Sequence, residues 1–254
     1  TNASDLTKAE ETYKKLTTDY TITFNANGGK ASATSITKKE GQKYGTLPTC
    51  TRDNYKFLGW YTSKTGTEKV SANTVCKGDA TVYAKWRKVT YKLTFNANGG
   101  KTSKASVTKN AGSKYGTLPT CTKAGYTFDG WYTAKTGGKK VSANTVCKGK
   151  ATLYAHWTKV TVKKASKPTL KAGTKQIKVT IKKMTGVKGY EVRYATKSSM
   201  ASAKKVSTTK TSTTISKLTK NKTYYVQVRA YKVDSAKKNV YGAWSKKVSV
   251  KVTK

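Results

Sequence analysis

The heptapeptide "FNANGGK" occupies residues 24–30 and recurs unchanged at residues 95–101. It reads either as a phosphate-binding loop or as a turn that closes a strand. Gly100-Lys101-Thr102 ends as a phosphate loop ends, but such a loop carries a further glycine five residues before Gly100 and then opens a helix. Phe95 holds that earlier position, Ala31 stands where the threonine belongs in the first copy, and strand-like sequence follows both copies. Asn27-Gly28 and Asn98-Gly99, by contrast, are the dipeptide that takes positive φ easily and turns a hairpin. The stretch therefore reads as a turn. Phe24 and Phe95 anchor the end of a first strand, and Lys30 and Lys101 are surface-contact candidates at matching hairpin tips.

The identity extends far beyond the heptapeptide. Tyr20, Phe24, Cys50, Trp60, Cys76 and Trp86 recur at Tyr91, Phe95, Cys121, Trp131, Cys147 and Trp157 with no gap, which marks a duplication. Each copy opens on an alternating strand, Tyr20, Ile22, Phe24 or Tyr91, Leu93, Phe95. "YGTLPTC", then "FLGWYT" or "FDGWYT", then "ATVYAKW" or "ATLYAHW" supply further β-rich segments, with room for a helical turn in the middle stretch. Trp60, Trp86, Trp131 and Trp157 are expected core residues of modules of about 70 residues, a size that needs extra fastening.

Four cysteines allow three pairings, and equivalent positions in two copies favour Cys50–Cys76 and Cys121–Cys147. Each bridge would be worth ~3.5 kcal/mol in the chain-entropy model and would place the protein in an oxidising compartment. Without His or acidic partners near them the cysteines make a poor zinc site, whereas a disulfide needs only what is present.

The order "FNANGGK", "YGTLP", "GYTFDGWYT", "ATLYAHW" resembles the Listeria-Bacteroides repeat, the internalin B-repeat type of module of bacterial surface proteins. The resemblance covers residues 20–86 and 91–157 and implies a β-grasp-like fold used in tandem, with no catalytic residue and no cofactor. The cysteine pair departs from that pattern.

After Trp157 the echo stops. Strands alternate again at Ile177, Val179, Ile181, at Tyr190, Val192, Tyr194 and at Tyr224, Val226, Val228. "VKGYEVRYATK", "TTISKLTKNKTYYVQVRAYK" and "GAWSKKVSVKV" resemble a fibronectin type III domain. That resemblance implies a β-sandwich with a tyrosine corner at Leu218 and Tyr224, a Trp244-Ser245 motif near the last strand, and Ile181 where the family commonly has a core tryptophan.

The expected fold is thus mainly β. A leader at 1–18 with a short helix capped by Ser4 or Asp5 precedes a first β-grasp-like repeat at 19–88. A second repeat at 89–159 and a fibronectin type III-like sandwich at 160–254 follow, joined by short linkers into an elongated rod.

The chain has 254 residues and a formal charge of +41, from 52 basic and 11 acidic residues. Only Arg52, Arg87, Arg193 and Arg229 are arginine, which argues against sequence-specific nucleic-acid reading, since base edges favour the bidentate guanidinium. The acids are too sparse for paired acid-base catalysis, and the single histidine, His156, is replaced by Lys85 in the first copy, so no enzyme is expected. No apolar run is long enough to span a membrane, and Thr1 in place of Met suits a mature or excised fragment.

With these features, the two resemblances imply a monomeric, non-catalytic segment of a secreted or cell-surface protein of a Gram-positive bacterium, acting as stalk and adhesion module. Host surface or secreted proteins, anionic glycans and bacterial wall polymers are the expected partners. An accessory region of a larger surface hydrolase is the third alternative.

Overall fold

The computed structural model describes residues 2–253, and Thr1 and Lys254 lie outside the described residues. Strand accounts for 45% of the chain and helix for 6%, so the mainly β expectation holds. The chain divides into two compact units. The first holds the leader, the first repeat, and residues 107–116 and 143–151 with the start of the second repeat. The second holds the rest of the second repeat and the third module.

Helix α1 spans Ala3–Thr17. Its cap is Asn2, whose Oδ1 accepts the Asp5 N–H at 2.9 Å, so Ser4 and Asp5 sit inside the first turn rather than capping it. The helix buries no residue. Its C-terminal end is tied down by Lys39 Nζ donating to the Thr17 carbonyl at 3.1 Å and by a Lys15–Glu40 ion pair at 3.7 Å.

The first repeat comprises β1 (Asp19–Asn25), β2 (Lys30–Ala31), β3 (Ser35–Lys39), β4 (Cys50–Thr51), β5 (Tyr55–Tyr61) and β6 (Ala80–Lys88). The main sheet runs β3-β1-β6-β5, with β1 parallel to β6 and the outer pairs antiparallel. That is the strand order of a β-grasp sheet. No helix covers it. Tyr44, Val70 and Cys76, from the irregular segments between strands, and Cys50, which opens β4, close over Ile22, Phe24, Trp60, Val82 and Ala84.

The helical turn expected in the middle stretch of the repeat does not form between residues 40 and 79. Gly41 and Gly45 take positive φ of 82° and 71°, and the amides of Tyr44 and Gly45 donate to the carbonyls of Thr74 and Ala72 instead of closing a helical turn.

The second repeat repeats this order with β7 (Thr90–Asn96), β8 (Lys101–Thr102), β9 (Ser106–Asn110), β10 (Cys121–Thr122), β11 (Tyr126–Tyr132) and β12 (Ala151–Lys159). Equivalent residues keep equivalent roles. Phe24 packs edge-on to Trp60 at 4.8 Å, and Phe95 to Trp131 at 4.9 Å. Gly59 and Gly130, at φ of 127° and 125°, carry the same bulge, where the pairing with β6 or β12 shifts register.

The two disulfides expected from the duplication are absent: all four cysteines are buried free thiols. In the first copy the reason is topological. Cys50 pairs with Ala31, close to Thr34, which receives the Phe24 amide, whereas the Cys76 thiol faces the carbonyl of Lys38, the partner of Tyr20. The two therefore sit by opposite ends of β1, four residues or about 13 Å apart along the strand. A bridge needs Cα atoms within about 7 Å. In the second copy Cys121 pairs with Thr102 on β8, and the Cys147 thiol faces the Gly149 carbonyl at 3.8 Å. Redox chemistry consequently gives no support to an extracellular setting.

The third module comprises β13 (Thr169–Gly173), β14 (Gln176–Thr180), β15 (Gly189–Ala195), β16 (Lys204–Thr208), β17 (Ser212–Ile215), β18 (Thr223–Val233), β19 (Asn239–Tyr241) and β20 (Val248–Lys251). Sheet β13-β14-β17 faces sheet β16-β15-β18, which continues to β19 and β20. Between them lie Ile177, Val179, Ile181, Val192, Ile215, Val226, Val228 and Val252. Ile181 is 3% exposed, so an aliphatic side chain fills the place where a tryptophan is common.

Candidate contact surfaces and module joints

The glycine-rich loops are structural. Gly29 donates to the Ala26 carbonyl to close a turn in which Asn27 and Gly28 take φ of 46° and 85°. The Asn27 side chain donates to the Ala84 carbonyl, and Trp86 Nε1 donates to the Ala26 carbonyl, so the loop is pinned to β6 from both sides. Asn98 and Trp157 make the same bonds to Ala155 and Ala97. Lys30 and Lys101 are exposed but open β2 and β8 rather than standing at hairpin tips, opposite Thr51 and Thr122.

Burial pushes the thiols of Cys50 and Cys121 above their ordinary pKa. Such thiols are poor nucleophiles. His156 lies flat on Tyr132 at 3.9 Å, with Nε2 2.9 Å from the Ala134 carbonyl, as a packed strand residue.

In the third module Tyr224 is 7% exposed and its hydroxyl accepts the Thr219 amide, which is the tyrosine corner. Ser245 is buried and its Oγ accepts the Val228 amide at 3.0 Å. Trp244 lies between two guanidinium groups, Arg193 at 4.3 Å and Arg229 at 4.4 Å, and Arg229 also covers Tyr241 at 3.8 Å. Arg52 stacks on Tyr55 at 4.0 Å in the same manner. Three of the four arginines in a lysine-dominated chain therefore sit where a flat cation is needed, a signal that composition alone holds.

Sequence reading missed the joints between modules. In the first unit, the Val89 amide donates to the Asn54 carbonyl, Ala111 donates to the Val89 carbonyl, and Gly112 lies against the Asn54 side chain. In the second unit, Val160 stands 71 residues after Val89 and donates to the Gly125 carbonyl, 71 after Asn54. The β18–β19 turn then caps that joint. Asp234 Oδ2 accepts the Gly125 amide at 2.7 Å, the Ser235 amide donates to the Tyr126 carbonyl, and Ser235 Oγ accepts the Lys123 amide and donates to its carbonyl.

The joints account for part of the divergence between copies. "RDN" at 52–54 has become "KAG" at 123–125, leaving the Gly125 amide to a different neighbour. Lys39 and Glu40 of the first copy meet α1, whereas Ala111 and Gly112 of the second, equivalent to Glu40 and Gly41, serve a joint.

Three backbone amides, of Gly125, Ala236 and Lys238, converge on the Asp234 carboxylate and hold its pKa below the ordinary 3.8, the Gly125 bond contributing most. Because the folded value is lowered, the stabilisation is fully present above the ordinary value and is lost as pH falls through the lowered one. The Gly125 amide proton resonance should therefore shift in one step below pH 3.8, and Asp234→Asn should abolish that step. A Gly125 resonance that ignores Asp234→Asn contradicts the joint.

Beside this joint is an open cleft of about 710 Å³, floored by Leu118, Phe128, Trp131 and Val141 and walled by Ser235 to Lys237. Among the described residues no group of His, Cys, Asp and Glu could hold a metal ion, and no helix is long and apolar enough to cross a membrane.

A family profile described as the Listeria-Bacteroides repeat domain matches residues 20–85 and 91–156, and one described as the fibronectin type III domain matches 169–250. Internalin H of Listeria monocytogenes serovar 1/2a is 38% identical over 148 residues, which cover 57% of this chain and 26% of that protein. A protein of Evansella cellulosilytica, provisionally named as a Gly-rich membrane protein, is 32% identical over 142 residues, covering 55% of this chain and 16% of its own length. The matched stretches thus span no more than 26% of these curated relatives. Two solved structures are similar in part. The 6th fibronectin type III domain of human fibronectin type III domain containing protein 3 has a TM-score of 0.31 at 17% identity, covering 38% of this chain and 90% of that one. The fn3 domain of human contactin 1 has a TM-score of 0.30 at 19% identity, covering 37% and 87%. At such scores neither adds to the fold argument.

Proposed function

The chain belongs to the Listeria-Bacteroides repeat family, and from that premise we propose that it is a non-catalytic segment of a bacterial surface protein, holding contact surfaces at a distance from their anchor. The observation that carries this reading is the pair of module joints. A spacer needs neighbours whose relative orientation is limited, and the joint residues Val89 and Val160 are both engaged in backbone hydrogen bonds. The relative named Internalin H and the one named as a membrane protein support a surface setting. Repeats and fibronectin type III modules are typically non-catalytic.

A second reading, adhesion through charge, is favoured by the lysines. Only three ion pairs occur among the described residues, Lys15–Glu40, Lys39–Asp19 and Arg229–Glu191, against a formal charge of +41. Host proteins, anionic glycans and wall polymers are the partners to test. The immobilised chain is exposed to host mucus, to serum and to purified wall polymer at low and high salt. Retention lost at high salt supports charge-driven adhesion. Retention at both salts supports specific protein recognition, and no retention leaves the spacer role alone.

A further inference from the structure

The two repeats provide an internal control, because one fold carries two different charge patterns at the same end of its sheet. In the first copy that end holds Lys38, Lys39, Lys43 and Lys77 together with Asp19, Glu40 and Asp79. The acids are engaged: Asp79 Oδ1 accepts the Thr21 amide at 2.7 Å, Asp19 pairs with Lys39 at 3.1 Å, and Glu40 pairs with Lys15.

In the second copy all three carboxylates are gone. Asp19 has become Thr90, Glu40 has become Ala111, and Asp79 has become Lys150, while Thr21 has become Lys92. With Lys109, Lys114 and Lys148 unchanged from the first copy, this end carries five lysines and no carboxylate of its own.

Topology brings them to one end of the sheet, Lys92 on its outer face and, by the register of the first copy, Lys109 on the core side. Lys92 lies on β7, with Lys150 immediately before β12 on one side and Lys109 on β9 on the other. Lys114 pairs with Val146, two residues from Lys148. The Lys109 amine lies over Gly116, and the other four lysines are exposed. The adjoining turn adds Arg52 and Asp53, which cancel in charge. None of the five lysines has an ion pair among the described residues.

Concentrating like charge on one end of a small sheet works against folding unless a counter-charge is brought to it. We infer that this end of the second repeat is a docking face for a linear polyanion bearing regularly spaced phosphate or sulfate groups. Lysine suits such a partner, because each ammonium is a flexible point charge that follows a mobile chain without the fixed geometry of a guanidinium fork. The inference names the contact face for the charge-driven reading above and rests on it.

The test uses the full chain and long-chain inorganic polyphosphate as the probe, with affinity measured across a salt series. Lys92→Thr with Lys150→Asp restores the residues of the first copy at both positions, so the variant carries a pattern this fold already accepts. Lys171→Thr with Lys178→Asp, at two exposed positions on β13 and β14, makes the same charge change elsewhere. The first variant should weaken binding at low salt about tenfold and flatten the log–log salt slope by roughly 2, and the second should change affinity less than about twofold.

Equal loss in both variants overturns the face while leaving charge-driven adhesion standing. Failure of the unaltered chain to bind at low salt overturns both. Full competition by orthophosphate at the same phosphate concentration also overturns the inference, because it identifies a single-anion contact in place of a polymer face.

Discussion

Replacing Gly29 by alanine is expected to destabilise the first repeat by about 3 kcal/mol, the upper end of overpacking costs. A β-carbon at Gly29 would lie 2.4 Å from Trp86 Cζ2 and 2.6 Å from the Thr51 carbonyl oxygen. Neither can retreat. Trp86 is held by its Nε1 bond to Ala26 and packs on Phe57 at 5.3 Å, and Thr51 is backbone in the β2–β4 pair. In a module of this size that loss corresponds to a fall in Tm of roughly 12–24 °C. Gly41→Ala is the comparison, since nothing lies within 4 Å of its added methyl and only the positive φ of 82° opposes it, at about 1 kcal/mol. Calorimetry in which both variants melt together would contradict the role assigned to the loop.

The second large effect belongs to the third module. Arg229→Ala removes the guanidinium that meets the Glu191 carboxylate at 2.6 Å and covers Trp244 and Tyr241, leaving a carboxylate that is 7% exposed with no cation. Breaking such a pair on one side costs about 3 kcal/mol or more. Glu191→Gln added to Arg229→Ala should recover part of that loss, because a neutral amide tolerates burial. Denaturant midpoints showing the double variant no better than the single one would remove the ion pair from the explanation. Arg229→Lys should fall between, since it keeps the charge and loses the flat stack.

What the sequence disclosed was local or repeated. The Asn27-Gly28 turn, the alternation around Ile22 and Val226, and the 71-residue echo of Phe24, Trp60 and Trp86 needed no knowledge of which strands meet. What stayed hidden depended on distant pairs. Asp234 is 109 residues from the Gly125 amide it accepts, and no pattern along the chain connects them. Arg229 and Glu191 are 38 residues apart, on neighbouring strands whose register only the sheet reveals.

The disulfide expectation failed for a related reason. Duplication establishes that Cys50 corresponds to Cys121 and Cys76 to Cys147, but correspondence between copies carries no information about distance within one copy. The absent helical turn is a weaker case of the same kind, decided by loop amides reaching across to Ala72 and Thr74 rather than by the loop residues alone.

These outcomes concentrate the functional account on the joints. If the modules act as a spacer, Val89 and Val160 are parts of the structure rather than slack chain. Amide hydrogen exchange on the full chain measures this directly. With structured joints, the Val89 and Val160 amides exchange as slowly as those of the flanking strands β6 and β12. Exchange at both sites as fast as in an unstructured linker would contradict structured joints.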